Sequence, residues 1–196
     1  LEGDVETFLD RVAPELGAKL VLLFRRNELE EIQMPLEQRC KIIEKTSSWK
    51  SWLDLDVSTQ AEELAFVAGL KTTTDLIASY HNYRKTPSAK ELEQIVVSME
   101  NYKADIYKFS CLCHDVCDAL TLMELGRQLN IAGKRCIVLG MGEYGLMTRV
   151  FGTLYWNEMI FAPLSARDAS APGQITRDDL EQILMRLSFG KVANGR

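Results

Sequence analysis

The chain reads as an α/β fold built on a parallel sheet, and three observations predict it. Short apolar strands alternate with amphipathic helical stretches from one end to the other, and a repeated strand–helix unit argues for a parallel sheet covered by helices. Polar residues collect at the C-terminal ends of the strands, namely Arg25, Asp54, Asp56, His81, Lys108 and Arg149, where a parallel barrel builds its active site. No glycine-rich phosphate loop follows the first strand, which turns the reading away from a dinucleotide-binding sheet.

Six strands are expected, over residues 19–24, 52–57, 75–81, 105–111, 135–141 and 159–164. The stretches between them, 36–46, 59–70, 88–102, 115–130 and 145–155, carry apolar residues at helical spacing. In the third, Leu92, Ile95, Val96 and Met99 fall on one face; in the fourth, Leu122, Leu125 and Leu129 make a core stripe. A last helix over 176–187 follows a capping signal, Thr176 with Asp179 three residues on. Residues 1–188 form the domain, and 189–196 read as a mobile tail or linker.

The 196 residues suffice for one domain with a sizeable core. A net charge of −5 with no dense basic cluster excludes a nucleic-acid partner. No apolar run reaches the length of a membrane span, and no secretory h-region opens the chain. The five cysteines, an odd number, read as reduced thiols of a cytoplasm-like compartment, with a plastid as the alternative. Cys111, Cys113, His114 and Cys117 are irregularly spaced and have no second cluster, so they read as packing rather than as a metal site.

Strand alternation sharpens the site. Asp54 and Asp56 share one face, against Leu53, Leu55 and Val57 on the other. Ile77, Ser79 and His81 share a face, as do Ile106, Lys108 and Ser110. An interior bearing carboxylate, imidazole and amine near its rim describes a reaction centre, because buried charges without a task are costly. An amine can form an imine with a carbonyl, and an imidazole can move a proton. The imine needs a neutral amine, yet an ordinary lysine is neutral only about once in 2,500 at pH 7; low dielectric and neighbouring cations raise that fraction.

These residues resemble type I 3-dehydroquinate dehydratase, the Schiff-base enzyme of the shikimate pathway. Ser79-Tyr80-His81-Asn82-Tyr83-Arg84-Lys85-Thr86-Pro87 resembles its strand-end histidine motif, with Asn82-Tyr83 where the family usually has Asp-Phe. Ala104-Asp105-Ile106-Tyr107-Lys108 resembles the segment of the imine-forming lysine. The run from Met141 to Arg149 resembles a Met-Gly…Gly…Ser-Arg stretch, with Thr148 for the serine, and Ser170-Ala171-Pro172-Gly173-Gln174 resembles the closing loop. The likeness covers about residues 19–187. It implies a TIM (β/α)8-type barrel, incomplete here, with about six strand–helix units and the first two strands missing.

The resemblance also implies the chemistry. Lys108 forms the imine with 3-dehydroquinate, and His81 removes the C2 proton and assists loss of the C1 hydroxyl, giving 3-dehydroshikimate and water. Arg149 holds the substrate carboxylate, Ser170 and Gln174 lie on a lid, and Arg25 contacts substrate. Asp54 and Asp56 support the centre, Asp56 standing where the family usually has the longer glutamate. Glu28, Glu30 or Glu31 serves as the carboxylate partner of His81. No metal or organic cofactor is required. The resemblance admits a homodimer and fusion to another shikimate-pathway domain. The missing strands motivate an alternative, a catalytically inactive ligand-binding module or partial barrel, and a different Schiff-base barrel enzyme such as an aldolase is a third reading.

Overall fold

A computed structural model describes residues 2–11, 16, 20–24 and 34–187. The elements are α1 (Glu2–Arg11), β1 (Val21–Leu23), α2 (Leu36–Thr46), β2 (Trp52–Asp56), α3 (Ala61–Ala68), β3 (Asp75–Asn82), α4 (Ala89–Asn101), β4 (Ile106–Leu112), α5 (Val116–Ile131), β5 (Cys136–Met141), α6 (Leu146–Tyr155), a 3-10 turn (Ala166–Asp168) and α7 (Arg177–Leu187). The strand order in the sheet is β1-β2-β3-β4-β5, with parallel pairing. None of the described helices is long and apolar enough to cross a membrane.

The chain divides into two compact units. The first holds the residues up to Ser79 together with Val96–Ile106. Here β2 pairs with β1 (Leu22 beside Leu53) and with β3 (Leu55 beside Ala78, Asp56 beside Ser79). Leu53, Leu55 and Leu76 pack with Ile43 of α2 and with Leu64 and Val67 of α3, so this face of β2 meets the helices. Asp54 and Asp56 therefore occupy the opposite face, as alternation requires. Arg39 and the buried Glu63 join α2 to α3 through an ion pair of 2.6 Å. The start of β4 is fastened to β3, where Asp105 gives its amide to the Leu76 carbonyl and accepts the Leu76 amide on its carboxylate at 2.7 Å.

The second unit holds Tyr80–Ile95 and the residues from Tyr107 onward. Leu122, Leu125 and Leu129 of α5 are buried, as their spacing predicts. Asp115 caps α5 by accepting the Asp118 amide, and Thr176 and Asp179 bond reciprocally at the start of α7. On β5, Cys136 and Gly140 face the helices: the Cys136 sulfur lies 3.9 Å from the Gly126 carbonyl of α5, and a methyl on Gly140 would meet Gly145 at 2.6 Å.

One expected strand is absent. Residues 159–164 form no strand; only an isolated bridge joins Asn157 to Cys136, and Glu158 gives its amide to the Cys136 carbonyl. The cause lies in Asn157, whose side-chain oxygen accepts the Val138 amide at 2.7 Å. A side chain thus takes the β5 donor that a neighbouring backbone would use, and Pro163 brings no amide to a ladder. The tail 189–196 lies outside the described residues.

Candidate active site

The site is built on the ends of β3 and β4. Tyr80 and Phe109 are in ring contact, 6.3 Å between centroids, so they share a face. Phe109 is paired with Val138, in the β4 series Tyr107, Phe109 and Cys111, whose β5 partners include the helix-facing Cys136 and Gly140. His81 and Lys108, each one residue along, therefore share the opposite face. Lys108 is buried, and its Nζ lies 4.4 Å from the centroid of the Phe161 ring, a cation–π distance. His81 is half-buried and stacks on Tyr83 at 6.3 Å with 13° between the rings.

The loop after His81 is held firmly. Asn82 Oδ1 accepts the amides of Arg84 and Lys85, both at 3.0 Å, an Asx turn. Thr86 donates to the Leu112 carbonyl at 2.9 Å, and the His114 ring, through Nε2, donates to the Arg84 carbonyl at 2.6 Å. Both contacts tie the His81 loop to the end of the strand that carries Lys108.

Arg149 stands in the first turn of α6, not at a strand end, and is 1% exposed. Close packing places it there. A methyl on Gly145 would lie 2.3 Å from the Gly140 carbonyl carbon, and Thr148 Oγ1 accepts the Gly140 amide at 2.6 Å while donating to the Gly145 carbonyl. Thr148 is thus consumed by backbone bonds. Arg149 Nε and Nη1 are sealed from solvent with no hydrogen-bond partner among the described residues. Burial pulls its pKa down from 12.5 to about 10, against a smaller upward pull from Cys113. A buried, unpaired guanidinium is costly, and its fork fits a carboxylate.

Ser170 and Gln174 bond to each other. The Ser170 amide donates to Gln174 Oε1 at 2.7 Å, and Gln174 Nε2 donates to Ser170 Oγ at 3.2 Å. Their loop touches the residue after β5, Gly142, whose amide donates to the Pro172 carbonyl.

Asp54 and Asp56 lie in the first unit, both buried. Asp56 Oδ1 accepts the Ser58 amide at 2.9 Å and the Thr59 hydroxyl at 3.3 Å, and Gln60 Oε1 accepts the Asp56 amide. Arg25, Glu28, Glu30 and Glu31 lie outside the described residues. Among those described, no group of three or more His, Cys, Asp or Glu side chains is arranged to hold a metal, and all five cysteines are free. Phe161, Thr86 and His114 were not singled out from the sequence as site residues. Thr86 was within reach, inside the Thr-Pro after His81; Phe161 was hidden in the apolar run read as a strand.

A parallel sheet covered by helices, with an amine and an imidazole on one face and a buried arginine that has no partner among the described residues, defines a protein of the α/β class. The family follows from comparison: the chain belongs to the type I 3-dehydroquinases, whose family model matches residues 2–190. It is 35% identical over 136 residues to the 3-dehydroquinate dehydratase of Aromatoleum aromaticum, covering 68% of this chain and 52% of that protein. It is 29% identical over 154 residues to that of Dehalococcoides mccartyi, covering 78% and 68%. The chain thus spans from about half to two thirds of the length of these relatives. The crystal structure of the dehydratase from Geobacillus kaustophilus HTA426 superposes with a TM-score of 0.75 at 24% identity, over 87% of this chain and 68% of that one. A dehydroquinate dehydratase and shikimate dehydrogenase from S. pombe gives 0.71 at 21% identity, over 92% and 36%. These two superpositions show that the fold is shared.

Proposed function

We propose that the chain dehydrates 3-dehydroquinate to 3-dehydroshikimate through an imine on Lys108. The Lys108 amine adds to the ketone and releases water, giving a protonated imine that draws electrons from the adjacent C2–H bond. His81 takes the C2 proton and returns a proton to the departing C1 hydroxyl, which leaves as water. Hydrolysis of the imine then frees the lysine. Arg149 binds the substrate carboxylate, and Ser170 and Gln174 contact the substrate from the lid.

The observation that carries this reading is the common face of His81 and Lys108 within one compact unit. The unpaired Arg149 supports it, because the substrate is a carboxylate. The same reading places the protein in a cytoplasm-like compartment, with the small-molecule substrate as its partner. It admits a homodimer, and fusion to a second pathway domain of the kind that the S. pombe protein carries. A second reading, a module that binds the substrate without turning it over, is favoured by the sheet of five strands, which is not closed into a barrel among the described residues.

Sodium borohydride added with 3-dehydroquinate tests both. The expected outcome is a reduced-ligand mass on the Lys108 peptide, absent from Lys108→Ala, together with product formation in the untreated protein. An adduct or binding without product selects the second reading. No adduct on Lys108 overturns the imine.

A further inference from the structure

Resting on that reading, we propose that Gly142 and Gly173 are positioning residues whose backbones form a latch, seating the 170–174 lid against the segment that leads into the helix of Arg149. Both have left-handed backbones, with φ of +79° and +77°. A methyl on Gly173 would lie 2.3 Å from the Gly142 carbonyl oxygen and 2.9 Å from its carbon, far inside van der Waals contact. The two peptides therefore touch, and only glycine lets them. The contact is fastened by the Gly142 amide donating to the Pro172 carbonyl at 3.1 Å.

Gly142 also faces the other way. Its carbonyl accepts the amide of Gly145, the residue that opens α6, at 3.2 Å. Gly145 is in turn held by Thr148, the neighbour of Arg149. One short run of backbone thus joins the lid to the first turn of the arginine's helix. The lid itself is internally braced by the Ser170–Gln174 bonds, so docking at Gly173 places both side chains together. A lid detached from Gly142 would lose these contacts with bound substrate while leaving the proton-moving groups in place. That loss falls on binding rather than on the chemical step.

Gly133 supplies the control. Its φ is +71°, and a methyl there would meet nothing within 4 Å. Gly133→Ala therefore carries the backbone strain of a left-handed alanine without a clash. Two measurements on the full chain test the latch: hydrogen exchange at the Gly142 amide, and the split between KM and kcat. In Gly173→Ala the Gly142 amide should exchange at least about tenfold faster, and KM should rise about tenfold with kcat within about threefold. Gly133→Ala should change neither. Unchanged exchange in Gly173→Ala, or equal acceleration in Gly133→Ala, overturns the latch. Exchange needs no turnover, so faster Gly142 exchange in a chain that forms no Lys108 adduct supports the latch while removing the catalytic reading.

Discussion

Asp56 and Arg149 are both buried charged residues, one in each compact unit, and the protein treats them in opposite ways. Asp56 spends one carboxylate oxygen on the turn it sits in, accepting from Ser58 and Thr59. Arg149 has two nitrogens sealed away with no acceptor among the described residues. The difference separates architecture from function. A buried charge satisfied by its own neighbours builds the fold, whereas one left unsatisfied is an unmet cost that a ligand can remove. The first unit has orphans too among the described residues, the Trp52 indole N–H and the Ser79 hydroxyl, the latter in register with Asp56. A neutral hydroxyl costs far less to bury than a guanidinium.

Arg149→Met should break the comparison most visibly, because its two effects run in opposite directions. Substrate binding should weaken about 10- to 100-fold, the loss of charge-assisted hydrogen bonds to a carboxylate. Stability without ligand should rise by about 1–3 kcal/mol, because the unpaired charge no longer needs burying. Calorimetry of binding and a urea titration of the same variant check both. A loss of stability would mean that the guanidinium is satisfied in solution. Asp56→Ala should do the reverse, losing about 1–2 kcal/mol as the Ser58 amide is left unpaired while Lys108 still traps substrate under borohydride. Loss of the adduct at unchanged stability would move Asp56 from architecture to site.

Much of this was legible in the sequence, because periodicity reports directly on burial. The face assignments of Asp54, Asp56, His81 and Lys108 follow from alternation alone, and the packing of Leu53, Leu55 and Phe109 agrees. Helix placement was legible for the same reason; the apolar stripe of α5 and the cap of α7 lie where they were expected. Residues 159–164 were misread as a strand because an apolar run does not show whether its partner edge is free; Asn157, outside the run, had already taken the Val138 amide. Arg149 was singled out, but its lack of partners among the described residues is a three-dimensional fact that no spacing encodes. The latch was equally invisible, since a glycine in a sequence does not say which backbone touches it.

Buried thiols are a third way of handling a burdened group, and they give the finest test of the comparison. Cys111 and Cys136 are fully buried, and burial above all pushes each thiol up from 9.0 to about 12. The folded protein keeps these two protons across a range in which the unfolded chain loses them. Stability must therefore fall as pH rises from about 9 towards 12, the unfolded state being the one that gains by ionising. By pH 10 each thiol should account for about 1 kcal/mol of the loss relative to pH 8. Urea titrations at the two pH values, on the parent and on Cys136→Ala, isolate one share: the variant should lose about 1 kcal/mol less over that interval, whatever its stability at pH 8. Equal losses would mean that the Cys136 thiol ionises in the folded state as readily as in the unfolded one, and so meets water or a cation.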